Sequence, residues 1–186
     1  MYSAMNSAKP RLTGEILYYR FADPPGFPNS TALVMIASVS NVGTTPSVVD
    51  HWTCNLVVQT AGGPVPLHGE ARAVPDNITL GRGRNQPMVF TRDDALYVKG
   101  MKTPIAPGAK IVGVLLYHFP RLSRELVISP NNSIVVRFKD VFGDDHKLNV
   151  KNFSPVPQYS DEPYEWIDVP GLERPTNISP PSSPKR

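Results

Sequence analysis

Trp52-Thr53-Cys54-Asn55-Leu56-Val57-Val58-Gln59-Thr60 puts Trp52, Cys54, Leu56 and Val58 on one side of an extended chain and Thr53, Asn55, Val57 and Gln59 on the other. A period of two is the mark of a strand with one face on a core and one toward water. Ser133–Lys139 (SIVVRFK) repeats the pattern, and Asp140-Val141-Phe142-Gly143-Asp144 reads as a turn into His146–Phe153, so the two stretches predict a terminal hairpin.

Working outward, Leu12–Phe21 (LTGEILYYRF) is rich in β-formers and stops at Asp23-Pro24-Pro25-Gly26, which cannot continue a ladder. Thr31–Ser40 (TALVMIASVS) alternates through Leu33, Met35, Ala37 and Val39 and ends at Asn41-Val42-Gly43, a turn whose Asn and Gly tolerate positive φ. Ala109–Phe119 (AKIVGVLLYHF) is apolar on both faces, which period alone assigns to a doubly buried strand or a helix. Gly113 flanked by Val112 and Val114 favours the strand. Gly62-Gly63-Pro64 closes the Trp52 strand, and Val65–Phe90 should hold only short edge strands and loops. Ala95–Val98 is expected to be one more short strand. The sum is an all-β, immunoglobulin-like antiparallel β-sandwich of about seven to nine strands. The expected organisation is a flexible segment 1–11, a sandwich 12–153 and a mostly disordered, proline-rich tail 154–186.

Composition agrees with a single folded domain. The chain has 186 residues, 40% hydrophobic and 19% charged, which is too apolar for a disordered protein. Its 21 prolines disfavour long helices. The formal charge of +3 is unevenly spread, because the tail carries Asp161, Glu162, Glu165, Asp168 and Glu173 against Arg174, Lys185 and Arg186. The remaining positive residues are scattered and not interleaved with aromatics, so nucleic acid is not the expected partner. No signal-like apolar core or membrane-length apolar run occurs, which fits a cytoplasmic protein or an ectodomain trimmed of its anchor and leaves the compartment undetermined.

Cys54 is the only cysteine, which rules out an internal disulfide and any site built from paired thiolates. His51, His68, His118 and His146 show no metal-ligand spacing. Asp50-His51 and Asp144-Asp145-His146 fall at expected turns, where Asp serves the backbone. Asp93-Asp94, read as strand neighbours, would point to opposite faces and could not form a catalytic pair. Arg82 and Arg84 in Gly81-Arg82-Gly83-Arg84 could meet a phosphate, but the Gly-Lys-Ser/Thr of a P-loop is missing and a surface loop is the better reading. No catalytic motif, cofactor or metal site is found, so the expectation is a non-enzymatic module. In the tail, Tyr159, Tyr164, Trp166 and Ile167 stand out as apolar residues that need a surface to cover, either the sandwich or a neighbouring chain.

Three stretches carry a resemblance. Ser38–Gly43 before the Trp52 strand, Pro104–Gly108 before the long strand, and Phe138–Gly143 near the end are similar in layout to immunoglobulin-like domains of the LEA14 and FxLYD types found in uncharacterised bacterial proteins. The resemblance spans about residues 31 to 150 and implies a sandwich in which Asn-x-Gly, Pro-Gly and Asp-x-x-Gly turns set the fold, with no catalytic residues to transfer. The chain shows no lipoprotein or membrane anchor, so the envelope location such domains suggest does not follow.

The expected function is a protein-interaction or accessory module that contacts another protein or itself, with Val65–Met101 as the loop-rich region to inspect and Arg82, Arg84, Tyr97, Tyr164, Trp166 and Ile167 as candidate contacts. A carbohydrate-binding sandwich is the alternative and would need Trp52, Tyr18, Tyr19 or Tyr97 as an exposed stacking platform. An enzyme whose site is assembled only by folding is the second alternative.

Overall fold

The computed structural model describes residues 9–23, 29–74, 78–80, 88–122, 126, 131–151 and 165–167. Strands β1 (Leu12–Asp23), β2 (Ser30–Asn41), β3 (Val49–Thr60), β4 (Gly63–Ala71), β7 (Lys110–Pro120), β8 (Ser133–Asp140), β9 (Asp145–Lys151) and β10 (Glu165–Ile167) form an antiparallel sheet in the order β10-β1-β2-β7-β4-β3-β8-β9. β5 (Ile78–Leu80) and β6 (Met88–Phe90) make a separate small hairpin, and α1 (Leu96–Lys102) is a short helix. β4 joins the two halves of the sheet. It pairs with β3 from Gly63 to Gly69 and with β7 only through Glu70↔His118 and Ala71↔Tyr117.

The sheet folds over on itself because both halves bring an apolar face to one core. β2 contributes Leu33, Met35, Ala37 and Val39, β7 Leu115, Tyr117 and Phe119, β3 Cys54, Leu56 and Val58, β8 Ile134, Val136 and Phe138, and β9 Leu148. The alternation legible at β3 and β8 is therefore the inside of the fold. β1 takes part by a register shift between Ile16 and Tyr18, which transfers inward pointing from Leu12 and Ile16 to Tyr19 and Phe21. Opposite, the backbone of β1 at Gly14 comes so close to the Leu148 side chain that a Cβ there would collide with it, so the fold is nearly closed on this side.

On the other side of β2 and β7 lies a second apolar cluster: Ala32, Val34, Ile36, Val114 and Leu116, with Tyr18 and Ala22 from β1. It is covered by the excursion between β4 and β7, through Val74, Phe90 and Ala95, with Tyr97 and Val98 packed against it. The doubly buried strand expected at Ala109–Phe119 is thus β7, and β2 is also buried on both faces. α1 fills the gap that β4 leaves between β7 and β3. A Cβ on Gly100 would run into Val49, and one on Gly113 would lie 2.6 Å from the Asp94 carbonyl and 2.8 Å from the Leu96 Cα. Gly113 serves close approach of helix to strand.

Several local expectations are corrected. Ala95–Val98 is not a strand: Ala95 makes one isolated parallel bridge to Val114 and caps α1, which covers apolar surface on both sides. The Trp52 strand does end at Thr60, but Val65–Phe90 is not limited to short edge strands and loops, because it includes most of the nine-residue β4, which lies between β3 and β7. The chain turns at Ala61-Gly62, and β4 carries Pro64 and Pro66 opposite Gln59 and Val57, where it has no second neighbour that needs their missing N–H groups. Asp93 and Asp94 sit in a 3-10 turn (Arg92–Asp94), where Asp94 closes a capping box with Thr91 and receives Lys99 Nζ at 3.1 Å. Gly43 does not adopt positive φ; its bareness admits the backbone of Lys9–Arg11. The expected disorder of 154–186 and most of the flexible segment 1–11 fall outside the described residues, except for Lys9–Arg11 and β10. Among the described residues no helix is long and apolar enough to cross a membrane.

Candidate interaction surface

At one end of the sandwich three chain segments meet: the β2–β3 loop, the loop from α1 to β7, and the tip of the β8–β9 hairpin. Asn41, fully buried, fastens the first two. Its Nδ2 donates to the carbonyls of Thr45 at 2.7 Å and Ile105 at 2.9 Å, and its Oδ1 accepts from Gly43 N at 2.9 Å and Arg11 N at 3.4 Å. Its backbone donates to the Ala109 carbonyl and accepts from Gly108 N. Gly108 has φ +75°, a conformation its missing Cβ permits. Ser47 and Ile105 exchange backbone hydrogen bonds, and Ser47 Oγ accepts from Val141 N at 3.4 Å, which ties in the hairpin.

The hairpin tip is organised by Asp140. Its Oδ1 accepts from Phe142 N at 2.8 Å and Asp144 N at 3.0 Å, and its Oδ2 lies 3.1 Å from His146 Nε2. Gly143, at φ +82°, closes the turn and donates to the Asp140 carbonyl. Burial by itself would raise the Asp140 carboxyl, but the hydrogen bonds from His146, Asp144 and Phe142 outweigh it and hold the group below its ordinary range. His146 in turn stacks on Phe138 at 5.0 Å between ring centroids, and Phe138 stacks on Trp52 at 4.7 Å. These rings lock the base of the hairpin to β3, at the bulge where His51 takes φ +52°.

A tip so constrained carries two apolar side chains into solvent. Phe142 is 59% exposed and Val141 55%. Val42 and Met101, also exposed, come from the adjoining β2–β3 loop and the last turn of α1. Among the Phe, Tyr and Trp side chains described, Phe142 is the one that is exposed.

The candidates read from sequence fall elsewhere. Tyr97 is half-buried in α1, and its hydroxyl accepts the Val74 amide at 3.4 Å, so it pins the excursion to the sheet. Arg82, Arg84 and Tyr164 lie outside the described residues. The backbone of Trp166 and Ile167 is in β10, paired with β1, and their side chains are outside the description. Tyr18 and Tyr19 are buried and Trp52 is half-buried under Phe138. Asp50 and His51 belong to strand β3 and not to a loop; Asp50 Oδ1 accepts from His51 N at 2.7 Å. Cys54 is fully buried, and burial pushes its thiol up, away from the reactive thiolate. Among the described residues no three His, Cys, Asp or Glu side chains are grouped to hold a metal ion. Charged and titratable groups also gather where β4 ends beside β7: Arg72 reaches Glu70 at 2.6 Å and His118 Nδ1 at 3.4 Å.

The tip was missed in the sequence because Val141 and Phe142 look like ordinary turn-flanking residues. The available signal was an aromatic inside a Asp-x-x-Gly turn, a position that offers no core to bury it.

No protein-family model matches the chain, and no curated protein matches it. Solved structures do match. One is a crystal structure assigned to ApaA of Bordetella pertussis, 13% identical, covering 77% of this chain and 91% of that one with a TM-score of 0.32.

Proposed function

We propose that the protein is a non-catalytic interaction module that binds another protein through the buttressed end of its sandwich, with Phe142 and Val141 as the anchor. The observation that carries this reading is the exposure of two adjacent apolar side chains on a tip held by the Asp140 hydrogen bonds. Rigid, pre-set apolar anchors lose little conformational entropy on binding, which is how a few residues come to dominate an interface. Loops clustered at one end of a β-sandwich are a common place for recognition. The three turn stretches that resemble LEA14- and FxLYD-type domains bring no catalytic residues with them, which is compatible with a role without catalysis. A carbohydrate platform has less support, because Tyr18 and Tyr19 are buried and Trp52 stacks on Phe138.

The test compares partner capture by the wild-type chain, Phe142→Ala and Val65→Ala, the last being an exposed apolar residue on β4. Phe142→Ala is expected to lower capture of the principal partner at least tenfold while Val65→Ala leaves it unchanged. Equal losses in both, or a loss only with Val65→Ala, would overturn the reading.

A further inference from the structure

The buttressed end of the sandwich carries charge of both signs, sorted to two sides. Lys9 and Arg11 are exposed on one side, where the backbone of Lys9–Arg11 lies against Gly43 and Val42 N donates to the Arg11 carbonyl at 2.8 Å. Asp144 and Asp145 are exposed on the other, following Phe142 around the hairpin tip. The β2–β3 loop joins the two sides, since Val42 borders Arg11 and Ser47 holds Val141. From Val42 to Ser47 the chain spans at most about 18 Å, which fits within one protein–protein contact. The loop Thr103–Gly108, which completes this end, has no charged residue.

Neither group has a counter-ion of its own. Among the residues whose side chains are described, every carboxylate belongs to an ion pair except Asp144 and Asp145, and Lys9 and Arg11 belong to none either. Lys139 stands opposite Asp145 in the β8–β9 ladder, but the two form no ion pair. Two basic and two acidic side chains cancel, so two copies of this end do not repel as like charges. A partner patch of one sign would be repelled by half of it. An apolar middle with opposite signs on its two sides is complementary to itself after a two-fold rotation, which is what an isologous interface requires. The axis would lie over the β2–β3 loop, across the line from the basic to the acidic side.

We propose that the protein bound through this end is a second copy of the same chain, in a two-fold dimer that sets Phe142 of each copy on Val42 of the other, and Asp144 and Asp145 on the other's Arg11 and Lys9. The inference rests on the reading of this end as a contact surface. Val42 is exposed beside the basic side and Phe142 beside the acidic side, so one rotation brings the apolar and the charged groups to their mates together. Exposed ion pairs add little affinity. Phe142 and Val42 therefore supply the attraction, and the charges fix which way the copies turn.

The experiment is sedimentation equilibrium of the full chain over a concentration series, for wild type, Lys9→Glu with Arg11→Glu, Asp144→Lys with Asp145→Lys, and Phe142→Ala. Wild type is expected to show a monomer–dimer equilibrium. Each charge reversal sets like charges against each other and should weaken dimerisation at least tenfold, and so should Phe142→Ala. An equal mixture of the two reversals should dimerise as tightly as wild type, because each then meets its opposite; mixing would not repair a mere loss of stability. A wild type that stays monomeric, a dimer indifferent to both reversals, or a mixture no tighter than its components would overturn the proposal. A monomeric wild type whose capture of a different protein is lost in Phe142→Ala would leave this end as a contact surface and remove only the second copy as its occupant. Neutral replacements, Lys9→Gln with Arg11→Gln, should also weaken the dimer and serve if a reversal does not fold.

Discussion

Replacing Asp140 with alanine removes the acceptor of two backbone amides, Phe142 and Asp144, and the partner of His146 Nε2. Hydrogen bonds to a charged group contribute about 1.5–3 kcal/mol each. The two amides lie at an exposed tip where water can replace the carboxylate in part, whereas the Asp140 side chain is only 2% exposed, so its loss also leaves a small void. The expected cost is about 2–4 kcal/mol, read as a lower urea midpoint with an unchanged slope. Asp140→Asn keeps one acceptor oxygen for the amides and loses the charge, so it should cost roughly half as much. The pH dependence has a definite sign. The folded-state carboxyl is lowered from its ordinary 3.8, so its stabilisation is present above that value and is lost as pH falls through the lowered one. The advantage of wild type over Asp140→Asn should therefore shrink below about pH 4. An alanine variant within ~0.5 kcal/mol of wild type, or a wild-type advantage that does not shrink as pH falls through the lowered value, would refute the view that Asp140 organises the tip.

Phe142→Ala should leave stability within ~0.5 kcal/mol, as for other exposed substitutions, while Phe138→Ala, which empties a buried site between Trp52 and His146, should cost about 3–5 kcal/mol in the same urea titration. Gly113→Ala is expected to cost about 1–3 kcal/mol, because the added methyl meets the backbone of Asp94 and Leu96; faster hydrogen exchange in Leu96–Lys102 would locate the damage. Cys54 should resist iodoacetamide in the folded chain and react fully in urea, as scored by intact mass; ready labelling without denaturant would contradict its burial.

The period-two stretches carried most of the fold. Trp52–Thr60 and Ser133–Lys139 are β3 and β8 with the inward residues that their alternation picks out. Where the pattern misled, tertiary contacts had overridden it. Ala95–Val98 has strand-like residues, yet the gap between β7 and β3 is filled by a helix whose Leu96 and Gly100 are buried. Tyr18 and Tyr19 are both buried because adjacent strand residues point to opposite faces and β1 has an apolar cluster on each side; the shift between Ile16 and Tyr18 decides which ring enters which cluster, and no periodicity announces it. The candidate surface was less legible still. Asn41 and Asp140 read as turn formers, which they are, but the bonds that join three loops at one end come from partners up to 94 residues away in sequence. Phe142 gains significance only when its exposure is known.

Hydrogen exchange on the chain with and without its captured partner tests the central claim most directly. Binding should slow exchange in peptides spanning 139–145 and 42–47 and leave 57–66 unaffected. Slowing confined to 57–66, with the hairpin tip unchanged, would contradict the assignment of that end as the contact surface.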